Sequence, residues 1–144
     1  MNKKVIIGIG ILAIIVIVFM SFNKGSTGGV VSEGDVISIP LSDISEKAKF
    51  YESDGIKFFA VQAVDGSIKT AFDACDVCYS SHKGYRQEGN NMICNNCGNK
   101  YPISGLGTEN LRGGGCWPGY LPSSVEGKNL IIDIADLKKG EYRF

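Results

Sequence analysis

Four of the five cysteines form two Cys-x-x-Cys pairs, Cys75 with Cys78 and Cys94 with Cys97, and fifteen residues separate the two pairs. In such a turn both sulfurs lie on the same side of a tight loop, and a hairpin between the pairs can bring four sulfurs together at tetrahedral spacing. Zinc, iron and iron–sulfur clusters all prefer tetrahedral sulfur ligands. The spacing therefore predicts a metal centre on these four cysteines.

Eighteen residues separate the fifth cysteine, Cys116, from Cys97, and Cys116 lies in a glycine-rich run. A closed zinc site has four ligands and leaves Cys116 idle, whereas a thiol beside the site can replace a ligand, resolve an oxidised cysteine or bind a second ion. Cys116 can equally be a small buried side chain packed under Trp117. We keep it among the candidate metal ligands, which are Cys75, Cys78, Cys94, Cys97 and Cys116.

Two other side chains near the pairs are weaker candidate ligands. His82, the only histidine, lies four residues after Cys78 among polar neighbours that favour exposure. Covalent haem requires a histidine directly after the second cysteine, and Tyr79 occupies that position. Met92, two residues before Cys94, offers a thioether to copper(I), although a hairpin methionine is more often a packing residue.

Runs rich in β-branched and aromatic residues surround the cysteines, and glycine, aspartate and asparagine separate them in patterns typical of hairpin turns. The predicted strands are residues 35–41, 50–51, 55–64, 68–72, 84–87, 91–94 and 129–134. We therefore expect a mainly β chain, with a small antiparallel domain that contains a rubredoxin-like or zinc-ribbon-like double Cys-x-x-Cys hairpin. One N-terminal transmembrane helix is expected to precede this domain.

The helix prediction comes from residues 5–22, which are eighteen consecutive residues without a charge. This length suits a membrane span, and the run is longer than the apolar core of a typical cleaved signal and lacks a small-x-small cleavage pattern. Lys3 and Lys4 before it favour an inside N-terminus. We expect a membrane anchor over residues 1–23, a flexible linker over 24–33 and an extracytoplasmic metal-binding domain over 34–144.

Charge and compartment restrict the function further. The formal net charge is zero and no basic stripe is present, so a nucleic-acid partner is not expected.

Outside the cytoplasm cysteines usually form disulfides, but a bridge within a Cys-x-x-Cys turn closes a very small and strained loop, which favours metal binding over a disulfide. A disulfide scaffold, a zinc ion that only stabilises the fold and a thiol–disulfide redox protein remain alternatives.

No catalytic constellation is present in the sequence. The sequence has a single histidine, so no second imidazole is present for a proton relay. Serine, histidine and aspartate do not occur in an order typical of a catalytic triad. The glycine-rich runs are not phosphate loops, because neither follows a strand and opens a helix with Lys-Ser/Thr. We do not expect an enzyme.

Five ordered motifs resemble the signature of the FtrD-like family of membrane iron–sulfur proteins; they lie at residues 72–78, 83–89, 92–98, 101–104 and 113–118. The resemblance covers about residues 34–144. It implies a membrane-attached domain that carries an iron–sulfur centre and works with components of ferrous-iron uptake. We therefore predict electron transfer or metal handling linked to iron uptake. The expected cofactor is an iron–sulfur cluster or iron, with zinc as the alternative, and the expected partners are an iron permease or redox components.

Overall fold

The computed structural model describes residues 31–144. The predicted anchor over residues 1–23, and the linker up to residue 30, lie outside the described residues. No helix within residues 31–144 is both long and apolar enough to cross a membrane.

Antiparallel strands dominate the described residues, which confirms the prediction of a mainly β fold. The strands β1 to β11 are, in chain order, Val31–Glu33, Val36–Pro40, Lys49–Ser53, Ile56–Gln62, Ile68–Cys75, Tyr85–Glu88, Asn91–Cys94, Lys100–Pro102, Pro118–Tyr120, Ser124–Glu126 and Asn129–Asp133. One short helix, α1, spans Ile134–Lys138. Single 3-10 turns occupy Leu41–Asp43, Tyr79–Ser81, Ile103–Gly105, Asn110–Arg112 and Glu141–Arg143.

The strands form three sheets. The first has the order β1-β2-β11-β10, the second β3-β4-β5-β9 and the third β6-β7-β8. In the second sheet β3, β4 and β5 pair in sequence as an antiparallel meander, at the predicted strands 50–51, 55–64 and 68–72. The third sheet contains the predicted hairpin between the cysteine pairs, since β6 pairs with β7 from Tyr85 opposite Cys94 to Glu88 opposite Asn91.

Strand β4 is buried on both faces, and this divides the interior into two cores. Phe58 points into the first core, where the second sheet packs on apolar residues of the first sheet such as Ile37 and Ile132. Phe59, the next residue, points into the second core. Successive side chains of a strand face opposite sides of the sheet, so adjacent phenylalanines can serve two cores. The second core contains three of the cysteines: Cys75, Cys94 and Cys116.

The β4 packing gives a testable prediction. Phe59→Ala should lower the free energy of unfolding by about 3–5 kcal/mol, because it empties a fully buried ring position in the second core. Phe50 lies opposite Phe59 on β3 and is 44 % exposed, so Phe50→Ala should cost only about 1 kcal/mol. Chemical denaturation of both variants checks this, and equal losses would contradict the two-core arrangement.

Candidate metal centre

The first cysteine pair lies at the end of β5. Cys75 is the last residue of the strand, and the amide of Cys78 donates to the Cys75 sulfur at 2.8 Å, which closes the turn. Asp76, inside the turn, accepts hydrogen bonds from Arg143 at 2.5 Å and from Tyr142 at 2.9 Å. The first Cys-x-x-Cys turn is therefore attached to the 3-10 turn at Glu141–Arg143.

The second pair lies at the end of β7, and its turn is closed by the backbone. Gly98 donates to the carbonyl of Cys94 at 2.9 Å, and the amide of Cys94 donates to the carbonyl of Asn99 at 3.0 Å. Gly98 has a φ of +75°, a conformation that favours glycine. Asn95 ties this turn to the start of the hairpin, because its side chain donates to the carbonyl of Lys83 at 2.9 Å.

Cys116 reaches the site through β9. Cys75 pairs with Pro118 across the β5–β9 ladder, and the register shifts by two residues between this pair and the pair Ala71–Tyr120. Irregularities of this kind, such as β-bulges, re-aim the end of a strand and are frequent next to functional sites. Because Cys116 precedes Pro118 by two residues, this pairing brings the fifth cysteine beside the first pair.

Two tyrosines hold the backbone of Cys116. The Tyr85 hydroxyl donates to the Cys116 carbonyl, and the Cys116 amide donates to the Tyr101 hydroxyl at 3.1 Å. The Tyr101 ring packs on Trp117, with 4.7 Å between the ring centroids. Trp117 in turn lies so close over Gly105 that an added Cβ would come within 2.5 Å of the indole. Hydrogen bonds to both its amide and its carbonyl therefore hold Cys116 in position.

The five sulfurs form two overlapping groups. Within each group all sulfurs lie within 4.8 Å of one another; one group is Cys75, Cys78 and Cys116, and the other is Cys78, Cys94 and Cys97. Cys78 belongs to both, and its sulfur is 3.2 Å from that of Cys116. All five thiols are free of disulfides. No group of four sulfurs within this distance is found in residues 31–144. Cys75, Cys78, Cys94 and Cys97 therefore do not form one close group of four; the first pair is grouped with Cys116, and the second pair with Cys78.

The sulfurs differ in exposure. Cys75, Cys94 and Cys116 are buried, Cys78 is half-buried and Cys97 is exposed. Burial, together with the neighbouring sulfurs of Cys78 and Cys97, raises the pKa of the Cys116 thiol. A thiol that resists ionisation in this way becomes a ligand only if the metal displaces its proton.

A cavity of about 350 Å³ opens beside the sulfurs. Cys75, Cys78 and Cys94 line it, together with Asp73 and the cationic side chains of Lys57, Lys83 and Arg143. Burial raises the pKa of the Asp73 carboxyl to about 6. This carboxyl accepts the amide of Tyr85 at 2.6 Å and thereby joins β5 to the start of β6. Cys75, Cys78 and Cys94 therefore border this cavity as well as the second core.

The weaker candidate ligands lie outside both sulfur groups. His82 is exposed and lines the cavity, but neither group contains it. Met92 is fully buried in the second core. Sequence reasoning missed the positioning roles of Tyr85, Tyr101 and Asp76, because each depends on contacts between segments far apart in the chain. The only available signal was that all three fall inside the family-like motifs.

The fold and the site together define a small antiparallel β protein with a sulfur-rich candidate metal centre. Residues 33–144 match the family described as "Membrane iron-sulfur containing protein FtrD-like", and the chain belongs to this family. The family assignment confirms the resemblance in the sequence. Among curated proteins, none is similar enough in sequence to count as a relative.

The sulfur arrangement fits the kind of group that the family description names. Each group offers sulfur alone, without a carboxylate or imidazole, as soft metal ions prefer. An amide donor to the Cys75 sulfur is the kind of contact that tunes such centres.

The tyrosine contacts predict a local effect on stability. Tyr85→Phe leaves the buried carbonyl of Cys116 without its donor and should cost about 1–3 kcal/mol of unfolding free energy, together with weaker metal retention. Tyr51→Phe is the matched control, since the Tyr51 hydroxyl is buried and has no partner among the described residues. The control should leave stability unchanged or raise it by about 1 kcal/mol. Similar losses in both variants, measured by denaturation, would contradict the role of Tyr85.

Proposed function

We propose that this domain binds iron through its cysteines, in an iron–sulfur or iron–thiolate centre, and serves electron transfer or metal handling linked to iron uptake. The observation that carries the proposal is the convergence of all five sulfurs, from three separate segments, on one partly buried cluster. The family description, which names a membrane protein containing iron and sulfur, supports the choice of metal. The protein acts as a carrier rather than an enzyme.

When bound, such a centre supplies reversible one-electron chemistry, and the chain sets the conditions for it. Its buried cysteines keep water away from one side of the cluster. The amide of Cys78 donates to the Cys75 sulfur, and a donor of this kind stabilises the added negative charge of a reduced centre. Cationic side chains at the cavity, including Lys57 and Lys83, act in the same direction.

Two openings support exchange with a partner. Cys97 is exposed, and Cys75, Cys78 and Cys94 line the cavity. A centre that only stabilised the fold would need neither opening. We propose that redox components or an iron permease in the same membrane meet the domain at this end.

A thiol–disulfide function is the second candidate, and one distance favours it. The sulfurs of Cys78 and Cys116 are 3.2 Å apart, closer than the roughly 3.8 Å between two sulfurs on one tetrahedral ion with bonds of about 2.3 Å. A small movement would bring them to the bonding distance of about 2.05 Å, and the bridge would form by exchange with a partner disulfide, which takes up the two electrons and two protons of the thiols. A zinc-stabilised structural module remains the third alternative, with the same ligands.

The redox proposal predicts colour. Full-length protein purified without oxygen should contain iron and absorb visible light through sulfur-to-metal charge transfer, and reduction should bleach the absorption. The double variant Cys75→Ser/Cys94→Ser removes one sulfur from each group and should be colourless. A colourless wild-type protein with stoichiometric zinc would favour the structural module, and a metal-free protein with a Cys78–Cys116 bridge would favour thiol–disulfide chemistry.

The proposed location outside the cytoplasm predicts accessibility in whole cells. A reporter that is active only outside the cytoplasm should be active when fused after Phe144. A membrane-impermeant amine reagent should label exposed lysines of the domain in intact cells, among them Lys47, Lys57, Lys128 and Lys138. Labelling that requires cell lysis, with an inactive reporter, would place the domain in the cytoplasm. The control is a cytoplasmic protein, which should be labelled only after lysis.

A further inference from the structure

The position of Cys78 in both sulfur groups differs from that of the other cysteines. Cys75 and Cys116 belong to one group, and Cys94 and Cys97 belong to the other. Cys78 alone lies within 4.8 Å of every other member of both groups. It is also half-buried, between the buried sulfurs and the exposed Cys97.

A single tetrahedral ion does not account for this arrangement. Four sulfurs on one ion must all lie about 3.8 Å apart when the bonds are about 2.3 Å long. No four sulfurs of residues 31–144 meet even the 4.8 Å limit, whereas two sets of three do. The geometry thus offers two three-sulfur positions, and a four-sulfur position would require the chain to rearrange.

The chemistry of a thiolate allows the two positions to be filled together. A thiolate sulfur carries three lone pairs and can bind two metal ions at once. Five thiolates around one divalent ion leave a large excess of negative charge in a partly buried site, and a second divalent ion offsets most of it. If the two ions share the Cys78 sulfur, the five cysteines give each ion three sulfur ligands.

We infer that the five cysteines form a two-metal thiolate site in which Cys78 bridges the ions. One ion is held by Cys75, Cys78 and Cys116, and the other by Cys78, Cys94 and Cys97. The inference rests on the proposed function only in requiring that these cysteines bind metal. It gives Cys116 the role of a terminal ligand, and it leaves one further coordination position on each ion.

Cadmium is a suitable probe, because it binds thiolates and its ¹¹³Cd nucleus couples to the β-protons of its cysteine ligands. Metal-stripped, reduced full-length protein is reconstituted with ¹¹³Cd²⁺ in detergent. We expect about two tightly bound ions per chain. The Cys78 β-protons should couple to both cadmium nuclei, and those of every other cysteine to one.

Serine variants give an independent pattern. Cys75→Ser and Cys97→Ser each disrupt one group and should each retain about one cadmium per chain. Cys78→Ser disrupts both groups and should retain neither ion at the same affinity. Cys78→Ser can also unfold the domain. If it does, the proton–cadmium couplings of the wild-type protein decide whether Cys78 bridges the two ions.

One cadmium per chain, or two cadmiums with no cysteine coupled to both, would overturn the bridge while leaving the metal assignment intact. Equal metal loss in the Cys75, Cys78 and Cys97 variants would also overturn it. Failure of the wild-type protein to bind cadmium would instead contradict the proposed function, and the inference with it.

Discussion

The contact on which the rest of the structure depends is the pairing of Cys75 with Pro118 across β5 and β9. It joins the strand that ends in the first cysteine pair to the strand that follows Cys116. Without it the fifth sulfur would belong to a glycine-rich loop, where chain entropy opposes any fixed position. The hydrogen bonds of Tyr85 and Tyr101 to the Cys116 backbone then hold Cys116 beside the first cysteine pair.

The second sheet gives the site its rigidity. Its strand β4 is packed on both sides, by the first sheet on one face and by the cysteine-bearing core on the other. Phe58 and Phe59 thus link the stability of the scaffold to that of the site, since a cavity on either side weakens the same strand. Residues 95–117 contain only the three-residue strand β8 and two 3-10 turns, so bound metal would supply much of the cohesion of this segment.

Local patterns in the sequence predicted most of the central elements. The alternation in β2, the β-branched and aromatic residues of β4 and β11 and the turn residues between the strands indicated these elements, and the strand predicted over residues 35–41 ends at Pro40. The prediction stopped β5 at residue 72, but the strand continues to Cys75 because β9 pairs with its end. Strands β1, β8, β9 and β10 have three residues each and show no periodicity that a sequence reading could use.

The candidate ligands were also predictable, because Cys-x-x-Cys spacing is a local signal. Their grouping was not, since the place of Cys116 and the double membership of Cys78 depend on contacts between segments 38 residues apart. The positioning roles of Tyr85, Tyr101 and Asp76 depend on similar long-range contacts. Spacing thus identifies the four paired cysteines, and tertiary structure decides where Cys116 lies and how the five sulfurs are grouped.

X-ray absorption at the metal edge of anaerobically purified full-length protein tests the central claim most directly. The account predicts iron whose only protein ligands are sulfur, with a second metal within bridging distance, because each sulfur group lacks other ligand types and both groups contain Cys78. A first shell containing nitrogen or oxygen from the protein, or a sulfur shell with no neighbouring metal, would contradict it.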